Sequence, residues 1–103
     1  VAASAVESVL EDALRTLGWR FMHQRPAQTA RGWRTALTGD KGFPDYVAIR
    51  RDRMLFIEAK GKANRLEPEQ LAWRDAIEAA GGEYHVVRPA NLDDFVRAVL
   101  ASR

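Results

Sequence analysis

The sequence predicts an α/β domain with a mixed central sheet flanked by helices, in the order α-β-β-β-α-β-α. Three observations carry that prediction. Apolar residues recur at helical spacing near both ends of the chain, two β-branched or aromatic runs meet at a polar dipeptide near its middle, and a strand, a helix and another strand follow in succession. With 103 residues and 47% apolar content the chain can fill one core but hardly two, so a single domain over residues 1–103 is expected.

Val6, Val9, Leu10, Ala13, Leu14 and Leu17 form the apolar face of a first helix, which Gly18 stops. Residues 19–23 alternate apolar and polar like a short strand, and residues 24–42, with Pro26, Gly32, Gly39 and Gly42, show little periodicity and predict a long basic loop. Residues 45–50 and 53–60 read as a hairpin turning at Arg51-Asp52. Pro68 fits the first turn of a second helix with Leu71, Ala72, Ile77 and Ala80 on its buried side and Gly81-Gly82 at its end. Residues 84–87 make a fourth strand, which a right-handed crossover lays parallel to the third. A last helix follows Pro89, capped by Asn91, and turns Leu92, Phe95, Val96, Val99 and Leu100 toward the core.

Composition narrows the function. The chain has no cysteine, which excludes disulfides, thiol chemistry and a thiolate zinc site, and suits a reducing interior. No run approaches the roughly 18 apolar residues of a membrane span, and Glu7, Glu11 and Asp12 stand where a signal peptide is apolar; a soluble cytoplasmic protein is expected. Residues 25–65 hold ten Lys/Arg against four Asp/Glu, a local charge of +6, while the remainder, six against ten, carries −4. Such a field attracts polyphosphate, although a solvated basic loop explains it equally well.

A hairpin centred on Arg51-Asp52 sets Arg50 opposite Arg53, Ile49 opposite Met54 and Asp45 opposite Glu58. Opposed Cβ atoms stand about 4.5 to 5.5 Å apart, where two carboxylates repel unless a cation compensates them. Strand alternation puts Lys60 on the face of Glu58, so three charged groups converge at one end of the hairpin beside Val47, Ile49, Met54 and Phe56. Hard oxygen ligands with open positions favour Mg²⁺, with Mn²⁺ as substitute, and suit phosphoryl chemistry. Lys60 is placed to orient or deprotonate a water. An isolated Asp and Glu-x-Lys also occurs as a plain cross-strand salt bridge, and that reading is the commoner one for the dyad alone.

The wider pattern adds to it. Gly42-Phe43-Pro44-Asp45, Ile57-Glu58-Ala59-Lys60 and Gln70 resemble the virus-type replication-repair nuclease (VRR-NUC) family of the PD-(D/E)XK superfamily. So do Gly18-Trp19 with His23, Lys60-Gly61, Arg65-Leu66, Pro68-Glu69-Gln70, Trp73, Ala80-Gly81 and Val87-Arg88-Pro89, so that the likeness covers almost the whole chain. The resemblance implies a restriction-endonuclease-like core in which Asp45, Glu58 and the Ala59 carbonyl bind metal, Lys60 assists the attacking water and Gln70 helps to organise the site. It also implies a carboxylate on the first helix. Glu7 and Glu11 both lie one turn apart on one face; Glu7 is preferred because it lies nearer the helix start, whereas Glu11 can solubilise the helix or pair with Arg15.

Several residues have plainer readings. Gly42 and Pro44 are scaffold that aims Asp45; Trp19 and Trp73 sit at core spacings, while Trp33, between Arg31 and Arg34, suits base stacking. Neither His23 nor His85 has a partner at zinc-ligand spacing. His23, Arg25, Arg31, Arg34, Lys41, Lys62 and Arg65 flank the site in sequence and are expected at a DNA backbone. The expected activity is Mg²⁺-dependent endonucleolytic hydrolysis of branched DNA. By resemblance it follows small Holliday-junction resolvases, acting as homodimers in a bacterial or phage-infected cell. Flap or single-strand cleavage, a non-catalytic nucleic-acid-binding module and a structural subunit are the alternatives.

Overall fold

The computed structural model describes residues 3–24, 27–29, 32–34 and 38–103. The first helix, α1, spans Ala3–Thr16 and buries Val6, Leu10 and Leu14, spaced four residues apart along one face. Gly18 then takes a φ of 81°, open to glycine at little cost, and turns the chain into strand β1, Arg20–His23. Strand β2, Ala27–Thr29, pairs antiparallel with β3, Gly32–Arg34, as a separate ribbon. The loop expected over residues 24–42 therefore contains a short ladder. Backbone pairing of three residues a side leaves no mark in a hydropathy pattern.

Strands β4, Tyr46–Arg50, and β5, Arg53–Ala59, form the expected hairpin in the expected register, Arg50 opposite Arg53 and Ile49 opposite Met54. Arg51 makes the turn at a φ of 58°. β1 lies antiparallel on the far side of β4, and β6, Glu83–Val87, lies parallel to β5, giving a mixed sheet of order β1-β4-β5-β6. The crossover between β5 and β6 carries helix α2, Pro68–Ala79.

The two faces of the sheet differ. On one, Tyr46, Ala48, Leu55, Ile57 and Val87 pack against Leu10 and Leu14 of α1 and against Leu92, Phe95 and Leu100 of the last helix. That helix begins as a 3-10 turn, Pro89–Asn91, continues as α3, Leu92–Phe95, and ends in a wider π-helical turn, Val96–Leu100. Asn91 is not its side-chain cap. Its amide bridges backward instead, accepting from the Arg88 N–H at 2.6 Å and donating to the Val86 carbonyl at 2.9 Å, which ties the turn to the end of β6. On the opposite face α2 covers the β6 side, where Phe43 lies edge-on to both Trp73 and Phe56. Of the expected buried side of α2, Ile77 is buried and Leu71 half-buried, but Ala72 and Ala80 face solvent, and Gln70, Trp73 and Arg74 are half-buried as well. The polar members of this side are invisible to hydropathy.

Candidate active site

Strand β4 is aimed by its approach. Gly42 takes a φ of 93° and passes so close beneath α2 that a Cβ there would meet the Glu69 carbonyl carbon and oxygen at 2.6 Å. Only glycine can pass. Buried Pro44 follows, and the next residue, Asp45, enters one pair beyond the last ladder rung, Tyr46 opposite Ile57, and hence opposite Glu58. The Asp45 backbone carbonyl accepts from Gln24 N–H at 2.8 Å, and its carboxylate Oδ2 accepts from Ala59 N–H at 2.9 Å. The ladder is thus prolonged by a side chain standing in for backbone.

Glu58 is 3% exposed, a charged side chain inside the fold. Its Oε2 accepts from Gln70 Nε2 at 3.2 Å, and its Oε1 is buried with no partner among the described residues. Gln70 is held for this: its Oε1 accepts from Glu67 N–H at 2.7 Å at the start of α2, so helix capping and the site share one amide. Burial first, and then the Asp45 charge and a hydrogen bond shared with Asp45, push the Glu58 carboxyl up to about 8, against an opposing pull from Lys60. Lys60 extends the pairing of β5 with β6 through its N–H to the Val87 carbonyl at 2.9 Å. The Tyr84 hydroxyl, on the same sheet face, is also buried without a partner among the described residues, and burial together with the Glu58 charge raises it to about 12. A tyrosine two positions from Val86 in an apolar strand gave no sign of this.

On the other side of Asp45, α1 and β1 bring a second group together. Glu11 Oε2 accepts from the Tyr46 hydroxyl at 2.7 Å and lies 2.9 Å from His23 Nδ1, while His23 Nε2 lies 3.4 Å from Glu7 Oε2. The His23 ring stacks on Tyr46 with centroids 4.2 Å apart. Burial and the Glu11 hydrogen bond raise the Tyr46 hydroxyl well above its ordinary range, so it remains a donor. Glu11, expected to solubilise the helix or pair with Arg15, is turned inward. His23, expected at phosphate, spends both ring nitrogens on carboxylates. His85 Nε2 is likewise engaged, 2.8 Å from Glu83 Oε2.

Lys41, Lys62 and Arg65 are exposed around the carboxylate end. Arg25 and Arg31 lie outside the described residues, as do the side chains of Trp33 and Arg34. Trp19 is core, as expected, whereas Trp73 is only half-buried and donates to the Asp40 carbonyl at 3.3 Å.

The residues present fit a divalent cation. Glu58 Oε1 is an orphaned acceptor held beside a second carboxylate, an arrangement of like charges that a cation would compensate. Among the described residues no group of three or more Asp, Glu, His or Cys side chains forms a complete ligand set. The donors are therefore a carboxylate pair to be supplemented by backbone oxygen, water or substrate, an open oxygen site rather than a closed zinc site.

The model of the VRR-NUC domain matches residues 5–91. The chain belongs to the VRR-NUC family. Membership, together with the mixed four-stranded sheet, makes it a nuclease-type domain of PD-(D/E)XK architecture, with DNA as its partner and a divalent metal as its family's usual cofactor. The match covers Glu7, Asp45, Glu58, Lys60 and Gln70. No curated protein matches the chain, and among the described residues no helix is long and apolar enough to cross a membrane.

Proposed function

We propose that this VRR-NUC domain is an Mg²⁺-dependent endodeoxyribonuclease that hydrolyses phosphodiesters in branched DNA, in the manner of a Holliday-junction resolvase, with Mn²⁺ as substitute. The observation that carries the reading is the buried, half-satisfied Glu58 carboxyl held against Asp45. Asp45, Glu58 and the Ala59 carbonyl hold the metal. When bound, it supplies Lewis-acid polarisation of the scissile phosphate and charge neutralisation. Lys60 orients the attacking water, Gln70 fixes the Glu58 rotamer, and Ala59 N–H fixes that of Asp45. Glu7 is the helix-1 carboxylate of the site. Glu11 is the less suitable choice, because its Oε2 is already taken by Tyr46 and His23.

Lys41, Lys62 and Arg65, with Arg25, Arg31 and Arg34, contact the DNA backbone, and His23 acts on the substrate side only through Glu7. Backbone contacts carry no base sequence, so DNA shape sets specificity. Symmetric cleavage of a junction calls for two copies, hence a homodimer, acting in the cytoplasm of a bacterial or phage-infected cell.

The test is a panel of labelled junctions, flaps, single strands and duplexes incubated with Mg²⁺, Mn²⁺ or chelator. Cleavage of junctions with either metal, absent in chelator and in a folded Lys60→Ala variant, is expected. Preference for flaps or single strands would replace the junction assignment, and retained turnover in Lys60→Ala would remove Lys60 from the chemistry.

A further inference from the structure

The turn end of the β4–β5 hairpin carries a feature that the carboxylate site leaves unused. Between the end of α1, the edge strand β1 and the hairpin turn lies an open groove of about 890 Å³ lined by Arg15, Arg20, Arg50 and Arg51, with Arg15 over the Phe21 ring and Arg50 over that of Trp19. No carboxylate lines it. Arg15, Arg20 and Arg51 are exposed, and none of them makes an ion pair among the described residues. Arg50 donates to the Leu17 and Leu100 carbonyls, which hold its guanidinium in place without cancelling its charge.

We propose that this arginine groove is a second DNA-backbone site that grips the substrate away from the point of cleavage. The proposal rests on the nuclease reading and adds a place to it. Guanidinium groups suit phosphate oxygens, which they bind through paired donors. Position agrees with chemistry. β4 separates the groove from Asp45 by five residues, roughly 17 Å at strand rise, or about five phosphates along one DNA strand. Arg20 pairs with Ile49 across the β1–β4 ladder and so shares the sheet face of Val47 and Asp45. That half of the face is not covered by α2: Met22 is 71% exposed, Met54 48% and Ile49 39%. Solvated arginines alone, or an Arg15 that merely balances the dipole of α1, would need neither the groove nor the open track.

The test measures DNA binding in chelator, where cleavage cannot occur, using a labelled duplex of about 20 base pairs over a salt series. The triple variant Arg15→Gln/Arg20→Gln/Arg51→Asn keeps a residue tolerant of positive φ at the turn. It is expected to bind about tenfold or more weakly and to lower the salt slope by about 2 to 3. The single variant Arg20→Glu, on an exposed edge position, should weaken binding in the same direction with an unchanged melting temperature. Unchanged affinity and slope in both variants would overturn the proposal, as would weaker binding with an unaltered slope. If the wild-type protein cleaves no DNA but its binding still depends on these arginines, the nuclease reading fails and the groove stands.

Discussion

The two ends of the β4–β5 hairpin pose the same problem and resolve it differently. At the turn, Arg50 stands opposite Arg53; at the other end, Asp45 stands opposite Glu58. Like charges across a ladder are unfavourable in both places. The arginine end is completed by the protein itself. Both guanidinium groups lie over the Trp19 ring, at 4.5 and 5.6 Å, Arg50 reaches the Leu17, Leu100 and Ser102 carbonyls, and Arg53 reaches the Val99 carbonyl and the Glu83 carboxylate. The carboxylate end receives one N–H at Asp45 and one amide at Glu58, leaving a buried oxygen with nothing. The Arg50–Arg53 pair is thus satisfied by the fold, whereas the carboxylate pair is left short of a cation.

Breaking each end should have different consequences. Asp45→Ala or Glu58→Ala is expected to lower DNA cleavage by about a thousandfold or more while the circular dichroism spectrum is kept, since catalysis loses a metal ligand and the core loses little. A folded variant with wild-type turnover would contradict the assignment. Arg50→Ala should do the reverse, costing about 3 kcal/mol of unfolding free energy by taking a donor from three carbonyls, with metal affinity unchanged in denaturant and binding measurements made side by side.

Gly42→Ala connects the two kinds of effect. Its Cβ would collide with the Glu69 backbone at 2.6 Å in a conformation L-residues avoid, so a loss of about 2 kcal/mol is expected. The start of α2 should shift and carry Gln70 away from Glu58, so metal affinity should fall too. A thermal and metal titration of this variant that showed only one of the two losses would separate Gly42 from the site.

The smallest effect is on pH. Glu58 in the fold titrates at about 8 against an ordinary 4.5, so the folded state holds the proton more tightly than the unfolded one. Its contribution to stability is complete below the ordinary value and is lost as pH rises toward the folded one. Melting of the metal-free protein should therefore decline across that window, and Glu58→Gln should flatten the decline. An unchanged slope in Glu58→Gln would assign it to other groups.

The sequence made the hairpin legible for a physical reason. Two strands joined by two polar residues leave a single compatible register, so the facing of Asp45 and Glu58 could be read from numbering alone. Much of the surroundings could not. Glu11 looked like a surface residue because its partners, His23 and Tyr46, are brought to it only by tertiary packing. Gln70 was recognisable by resemblance, but its double use as helix cap and Glu58 partner depends on where α2 starts. Gly42 read as an ordinary turn glycine, and its close passage under α2 is a contact between segments 27 residues apart. The arginine groove escaped notice because Arg15, Arg20 and Arg51 come from three elements and form no run.

Calorimetric titration of Mn²⁺ into the metal-free protein near neutral pH, repeated in two buffers of different ionisation enthalpy, addresses the carboxylate end most directly. Binding accompanied by proton release is expected, because the cation replaces the proton that the raised Glu58 carboxyl holds near neutral pH, and Glu58→Gln should abolish both heat and release. Equal binding by wild type and Glu58→Gln, or binding that frees no proton, would contradict a cation site at this pair.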